Sequence, residues 1–444
     1  MNNLTVQIFL DQQWHDAAEI SFSAVEQGHL ESTRLDYLAP YVIEQLGQAQ
    51  IAGAAMSCRY PVDFTSYDEP HWPAFVLDLL PGGEGRRRWS ERLNIANGLG
   101  AEFELLRHAA ANPAGNLRIK DAALSHFHQN QNLPDAEGQW VSQEQHPGFS
   151  RDDIISKQEH FIEYAYNLGA AVSGATDVQG EAPKFLLVED LASRWHAEGA
   201  IADSQVKKHW IVKFPRGKTR VDVKILQNEA KYLEVARQFG LRVGEPLQQQ
   251  GNALFIPRFD RRQAKAKTER IAMESLYSIA GVARFGEVST HETLCGALMQ
   301  SIVPQERLNT ALEYIKRDLL NVVMGNTDNH GRNTAVLRAR DGGTSLSPLF
   351  DFAPMYLDPE GIARVTRWHK SREHAGRPNW VSVVDFFQPW LNTASLMEQV
   401  VAIEPSLRIL THVMHAEKID EDIIARCQYV IENTLEQLRQ YRHA

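Results

Sequence analysis

The sequence predicts an α+β fold built in parts, and three observations predict it. The chain has 444 residues, beyond the roughly 250–300 at which one core stops growing, so two or three domains are expected. Strand-like runs fall before residue 263, and helical periodicity dominates after it. A hydrophobic content of 43% is ample for buried cores.

The elements follow in order. Val6 to Leu10 reads as a short strand, and FVLDLLPGGEGRRRWSERL and AEFELLRHAA have helical patterns. Residues 127–150 are polar, carry two prolines and read as an exposed linker. KFLLVED (184–190) and HWIVKF (209–214) have strand length and apolar content, with a polar loop between them. ILQNEAKYLEVARQF (225–239) has helical spacing and stops at Gly240, a natural residue just past a helix end. NALFIPRFDRR (252–262) opens as a strand and turns charged. The chain therefore divides into 1–150, 151–262 and 263–444.

Composition excludes several classes. A net charge of −10 argues against a sequence-blind grip on nucleic acid, which needs Lys and Arg on phosphates. The run Arg86, Arg87, Arg88 reads as a solvated helix face. Cys58, Cys295 and Cys427 lie far apart, so neither a disulfide framework nor a Cys-rich zinc site is expected, which suits a reducing cytoplasm. The start MNNLTVQIFLDQQW has no basic residue and is broken by Asp11, unlike a signal peptide. No stretch approaches the roughly 18–20 apolar residues of a membrane span.

The stretch GNTDNHGRNTAVL (325–337) carries the chemistry. Phosphoryl transfer needs a carboxylate to take the attacking hydroxyl's proton and oxygen ligands for Mg²⁺. Asp328 followed five positions later by Asn333 supplies both from one loop. Asp351, between Leu349, Phe350, Phe352 and Ala353, is a second ligand, since a carboxylate in so apolar a run needs a partner. Lys213 shares a strand face with Ile211, opposite Trp210, Val212 and Phe214. Glu229 falls on the buried helix stripe of Leu226 and Leu233, so it needs a counter-charge, and Lys213 would supply it. VSGATDVQGEAPKFLLV (172–188) brings glycines ahead of a strand, whose N–H groups could approach phosphates. Taken singly, each piece could be a turn former, a cap or a surface lysine. Their order, however, is that of a kinase: glycine-rich loop, strand Lys, helix Glu, hinge, Asp–x4–Asn, Asp–Phe.

The chain resembles the HipA-like bacterial serine/threonine kinases, toxins of HipA/HipB-type toxin–antitoxin systems, in a divergent branch. TDNHGRN is similar to the family's TDxHxKN catalytic loop, with Arg332 in place of the lysine, and LSPLFDFAPMY to its metal strand. IPRFDRR is similar to the hinge and RFDR element, HWIVKFP to the lysine strand and QNEAKYLEVARQFGL to the glutamate helix. FVLDLLP and FELLRHAAANPAGNLRI are similar to its N-terminal subdomain. The resemblance implies a two-lobed protein-kinase-like fold, a small β-rich N-lobe and a helical C-lobe, with an extra N-terminal α/β subdomain. It implies ATP and Mg as cofactors, Asp328 as base, Asn333 and Asp351 as metal ligands, and Ser173, Gly174, Ala175, Lys184, Lys213, Glu229, Pro257, Phe259 and His330 around the nucleotide. Ala171 stands where the family's autophosphorylated serine is expected. A protein substrate of the aminoacyl-tRNA synthetase class, growth arrest and a small DNA-binding antitoxin of HipB type are also implied, with DNA reached only through that partner. Competing readings are a nucleotide-binding pseudokinase or scaffold and a small-molecule kinase. A metallohydrolase would need a histidine cluster, and His291, His369 and His374 lack ligand spacing.

Overall fold

The computed structural model describes residues 2–46, 52–125, 132–172, 182–264, 267–339 and 343–442. Ser173, Gly174 and Ala175 lie outside the described residues. The fold is mixed α and β, and its contacts gather into two compact units. The first holds 1–217, 247–287 and 337–342, and the second 218–246, 288–336 and 343–444.

The first unit opens with five antiparallel strands: β1 (Asn2–Leu10), β2 (Gln13–Phe22), β3 (Thr33–Tyr37), β4 (Ser66–Glu69) and β5 (Leu117–Ile119). Their order in the sheet is β4-β3-β2-β1-β5. The first strand is longer than the expected Val6 to Leu10, because Leu4 continues the buried alternation of Val6 and Ile8. Asp11, which breaks the apolar run, sits with Gln12 at positive φ in the two-residue turn joining β1 to β2. Ile20, Phe22 and Leu35 complete the inner face, and Trp72, Phe75, Leu105 and Leu106 cover it.

Two expectations need correction here. The arginine run lies on the Gly83–Leu93 helix, but only Arg87 and Arg88 are solvated. Helical rotation turns Arg86 inward, where it donates to the buried Glu102 carboxylate at 3.2 Å, the Gly98 carbonyl at 2.8 Å and Asn97 at 2.9 Å. The stretch expected as an exposed linker is also structured where described. Asn132–Pro134 and Trp140–Ser142 pair as a hairpin. Asp135 accepts the N–H groups of Glu137 and Gln139 in its turn. Leu133 and Phe149 are wholly buried in a core shared with Phe161, Trp195, Trp210 and Phe255. Two apolar anchors suffice to fix a stretch whose composition is polar.

That core packs against a second sheet, ordered Trp195–Ala197, Lys184–Asp190, Val206–Lys213, Ala253–Pro257, Gln248–Gln250, with Ala171–Val172 also pairing to Lys184–Asp190. The polar loop expected after Asp190 contains the buried Trp195–Ala197 strand. Beside the sheet lies a buried ion network. Asp260 accepts from Arg258 Nε at 2.9 Å, Arg261 Nη1 at 2.8 Å and the Gly115 N–H at 2.8 Å. Arg261 also donates to the carbonyls of Gly115 (2.6 Å) and Pro113 (3.0 Å). Glu198 binds His209 Nδ1 at 2.9 Å and lies 3.3 Å from Arg261 Nε. Gly115 has φ +80°, and a Cβ there would sit 3.1 Å from the Met273 nitrogen, so glycine suits the joint.

The second unit is mainly helical. The Arg220–Gln238 helix starts with a capping box of Thr219 and Asp222 and ends before Gly240 at φ +82°. The Arg307–Met324 helix carries Asp318 on its buried face. Asp318 accepts from Arg364 at 2.7 Å and Trp368 Nε1 at 2.8 Å, with His291 Nε2 at 3.3 Å. Arg364 reaches Glu373 at 2.8 Å. Among the described residues, no helix is long and apolar enough to cross a membrane.

Burial opposes the charge on Asp318, but Arg364 and His291 outweigh it and hold its carboxyl well below the ordinary range. Burial opposes Asp260 in the same way, and Arg258 and Arg261 outweigh it. A carboxyl lower in the folded than in the unfolded chain stabilises the fold above its unfolded value, near pH ~4, and loses that contribution as pH falls toward the folded value. Urea midpoints should therefore hold from pH 7 to pH 5 and drop below about pH 4. Asp318→Asn should cost roughly 3–5 kcal/mol at pH 7 by leaving Arg364 short of a partner. Equal midpoints at pH 5 and pH 3 would contradict this assignment.

Candidate active site

The Arg307–Met324 helix ends at Gly325, whose φ of 72° is left-handed. A Cβ at this position would lie 2.6 Å from the Tyr356 ring and 2.8 Å from Arg426, so only glycine ends the helix here without displacement. The last carbonyls of a helix lack internal partners. The Tyr232 hydroxyl donates to the Met324 carbonyl at 2.9 Å, Arg426 to Val323 at 3.3 Å, and the Tyr356 N–H to Gly325 at 3.1 Å.

The loop beyond is ordered from within. Asn333 Nδ2 donates to the Asp328 carbonyl at 2.8 Å and approaches its Oδ2 at 3.4 Å. With its nitrogen so anchored, Asn333 offers its amide oxygen elsewhere. His330 is buried, and its Nδ1 accepts the Arg332 N–H at 3.2 Å. The proton therefore sits on Nε2, which points at Asp328 Oδ1 from 3.4 Å. The His330 carbonyl accepts the Asn333 N–H at 2.9 Å. Asp328 itself is 32% exposed while its neighbours Asn329 and His330 are buried, so the carboxylate faces outward from a fixed frame.

Asp351 follows a segment held by the residues after the Arg220–Gln238 helix: the Leu349 N–H donates to the Arg242 carbonyl at 2.8 Å, and Arg242 to the Leu346 carbonyl at 3.0 Å. Asp351 has φ 52°, a left-handed conformation uncommon outside glycine and found at functional sites more than elsewhere. Phe352, fully buried beside it, meets the Tyr232 ring at 5.3 Å. Tyr232 is one helical turn from Glu229, which is 1% exposed. One tyrosine thus joins the end of the loop-bearing helix, the segment of Asp351 and the helix of Glu229. A carboxylate such as that of Asp351 and an amide oxygen such as that of Asn333 are donors of the kind a hard cation takes. Among the described residues there is no cluster of three or more His, Cys, Asp and Glu that could hold a metal ion.

In the first unit, Lys213 ends its strand directly opposite Lys184 in the antiparallel pair, so both side chains share one face of the sheet. Trp210, Val212 and Phe214 fill the core behind, as the alternation predicts. Pro257 lies opposite Trp210 on the next strand. Phe259 is half-buried, between Arg258 and Asp260, which are committed to the ion network. Lys213 belongs to the first unit and Glu229 to the second.

One constraint could not be read from the sequence. Asn329 Nδ2 donates to the Thr366 carbonyl at 3.0 Å, and its Oδ1 accepts the Thr366 N–H at 3.3 Å. This two-point clamp spans 37 residues of chain, and a turn-former pattern gives no sign of it.

A model of the HipA-like C-terminal domain matches residues 176–416, and a model of the HipA N-terminal domain matches residues 18–120. The chain belongs to the HipA family. The HipA of the Shewanella oneidensis MR-1 toxin–antitoxin complex, solved with HipB and operator DNA, is 17% identical over 98% of this chain and 97% of that chain, with a TM-score of 0.61. The HipA fold therefore extends over nearly the whole chain. The Helicobacter pylori proinflammatory kinase CtkA covers 53% of this chain and 92% of that one at 13% identity, with a TM-score of 0.34, too loose a likeness to argue from. No curated protein gives a match.

In this HipA-family chain Gly325→Ala should lower stability by about 1–3 kcal/mol through the left-handed backbone alone, with more from the Tyr356 and Arg426 contacts. Thermal melting measures it. A melting temperature within a degree of wild type would mean the helix end is not built as described.

Proposed function

We propose that the protein is a Mg-ATP-dependent serine/threonine protein kinase of the HipA toxin type. The observation that carries this reading is the loop in which Asn333 anchors on Asp328 while Asp328 stays open to solvent. In this reading Asp328 takes the proton of the substrate hydroxyl, and His330 orients the Asp328 carboxylate through its Nε2–H. Asn333 and Asp351 hold the magnesium, which when bound neutralises charge on the phosphates. Lys184 and Lys213 draw the nucleotide phosphates to the sheet edge, Glu229 steadies Lys213, and Pro257 and Phe259 border the adenine. Ser173, Gly174 and Ala175 would contribute to binding the phosphates. The β-rich and helical parts act as the two lobes of a kinase.

Family membership supports a soluble cytoplasmic toxin with a small DNA-binding antitoxin of HipB type as partner, since the Shewanella HipA was solved with HipB on operator DNA. The substrate is a host protein, with an aminoacyl-tRNA synthetase as the first to try.

With labelled ATP, magnesium and a bacterial lysate, wild type should label a host protein on serine or threonine. Asp328→Ala should reduce the rate by on the order of 10²–10⁴-fold while ATP still shifts the melting temperature. Undiminished labelling by the variant would remove Asp328 from its role. A magnesium-ATP shift without any labelling by wild type would favour a scaffold. Lys213→Met should weaken the nucleotide-induced shift by roughly 1–3 °C, read by thermal melting, if the charge-assisted bond contributes its usual share.

A further inference from the structure

The segment 361–379 departs from the rest of the chain in charge. It carries five Lys and Arg residues, two histidines and a single acid, Glu373, in a protein of net charge −10. Burial sorts them by side. Arg364, Thr366 and Trp368 turn inward, and Arg364 and Trp368 hold Asp318. Trp368 also stacks on His291 at 4.8 Å between centroids. Arg372 is tied to Glu292 at 3.2 Å and to the Ser382 carbonyl at 3.0 Å. The nearby acids are thereby used internally: Glu373 accepts from Arg364 and the Trp368 N–H, and Glu292 from Arg372 and the His369 N–H.

The remainder faces solvent. Arg367, His369, Lys370, His374 and Arg377 are all exposed. His374 and Arg377 sit directly opposite each other in the Glu373–His374/Arg377–Pro378 hairpin. This cationic face begins one residue after Thr366, which Asn329 clamps from both sides, and Asn329 adjoins Asp328. From Thr366 to Lys370 an extended chain spans at most about 14 Å, the reach of roughly four residues.

From this placement we propose that 367–377 is the substrate-recognition surface and that the protein substrate carries Asp or Glu within about four residues of its phosphoacceptor. The inference rests on the kinase reading for the word substrate, and on the charged face alone for binding. Buried Trp368 and the part-buried, paired Arg364 and Arg372 fix the segment before any partner arrives, so the exposed cations are displayed with little ordering cost. An acidic peptide matches this surface better than nucleic acid does. Three exposed permanent cations fall short of the roughly 6–10 phosphate contacts of a protein that depends on nucleic-acid backbone, and the chain as a whole repels polyanions.

The test uses the full chain and its Arg367→Glu/Lys370→Glu double variant, whose melting temperature should match wild type because both side chains are exposed. Serine peptides of equal length, flanked by Glu, Ala or Lys, serve as substrates with Mg-ATP. Fluorescence anisotropy measures binding of the same peptides and of a 20-nucleotide single-stranded RNA. Wild type should bind and phosphorylate the Glu-flanked peptide best, with the variant losing roughly tenfold to a hundredfold, mainly in KM. The variant should gain on the Lys-flanked peptide. Equal use of all three peptides, or a variant unchanged on the Glu-flanked one, overturns the proposal. RNA bound more tightly than any peptide, and released by the same substitutions, overturns it in favour of nucleic acid. Charge-dependent binding of the Glu-flanked peptide without phosphorylation by wild type keeps the surface and defeats the kinase reading instead.

Discussion

The hydrogen bond from the Tyr232 hydroxyl to the Met324 carbonyl is the constraint on which the second unit's site depends. Met324 ends a helix, and its carbonyl is buried where water cannot serve it. Burial pushes the Tyr232 phenol well above its ordinary range, so it stays a neutral donor at every working pH. The same ring meets Phe352 beside Asp351. A helix, the loop entrance and the segment of the second carboxylate are thus fixed by one side chain. A misplacement of about 1 Å between reacting groups can cost a hundredfold in rate, so such a junction matters more than its bond energy of roughly 1 kcal/mol.

Both units hold irregular backbone with a buried carboxylate gripped by arginine. In the first, Asp260 binds Arg258 and Arg261, and Arg261 carries on to the carbonyls of Pro113 and Gly115. In the second, Asp318 binds Arg364, which carries on to Glu373. Apolar packing alone would stabilise these places as well or better. It could not serve the backbone N–H and C=O groups of irregular chain. The charged groups can: the carboxylates of Asp260 and Glu373 accept the N–H groups of Gly115 and Trp368, and the fork of Arg261 donates to the carbonyls of Pro113 and Gly115.

Much of this was legible in the sequence, and the parts that were not share a cause. Period-two alternation placed Lys213 opposite the core face, and period 3.6 placed Glu229 on the buried stripe; the burial of Trp210, Val212, Leu226 and Leu233 agrees with both. Asp328 and Asn333 could be read together because one loop contains them. Arg86 departs from the expected solvated face because charge composition does not register Glu102 sixteen residues on. Residues 132–150 depart from the expected linker because two buried side chains outweigh a polar average. The clamp of Asn329 on Thr366 leaves no trace in the local pattern. Local pattern reports which way a side chain faces, whereas a partner distant in sequence is chosen by the tertiary fold.

Two features of the second unit share one ruler. Asp318 and the loop after Gly325 belong to the same helix, and six residues of helix separate Asp318 from Met324, a rise of about 9 Å. Asp318 fixes Arg364 and Trp368, and Asn329 fixes Thr366 between them. The basic segment is therefore pinned at three successive inward positions to a helix and to the loop that extends it. A displacement of that helix carries Asp328 and the exposed Arg367 together. The geometry between the basic segment and the Asp328 carboxylate thus survives small motions of the unit, because both are referred to the same helix.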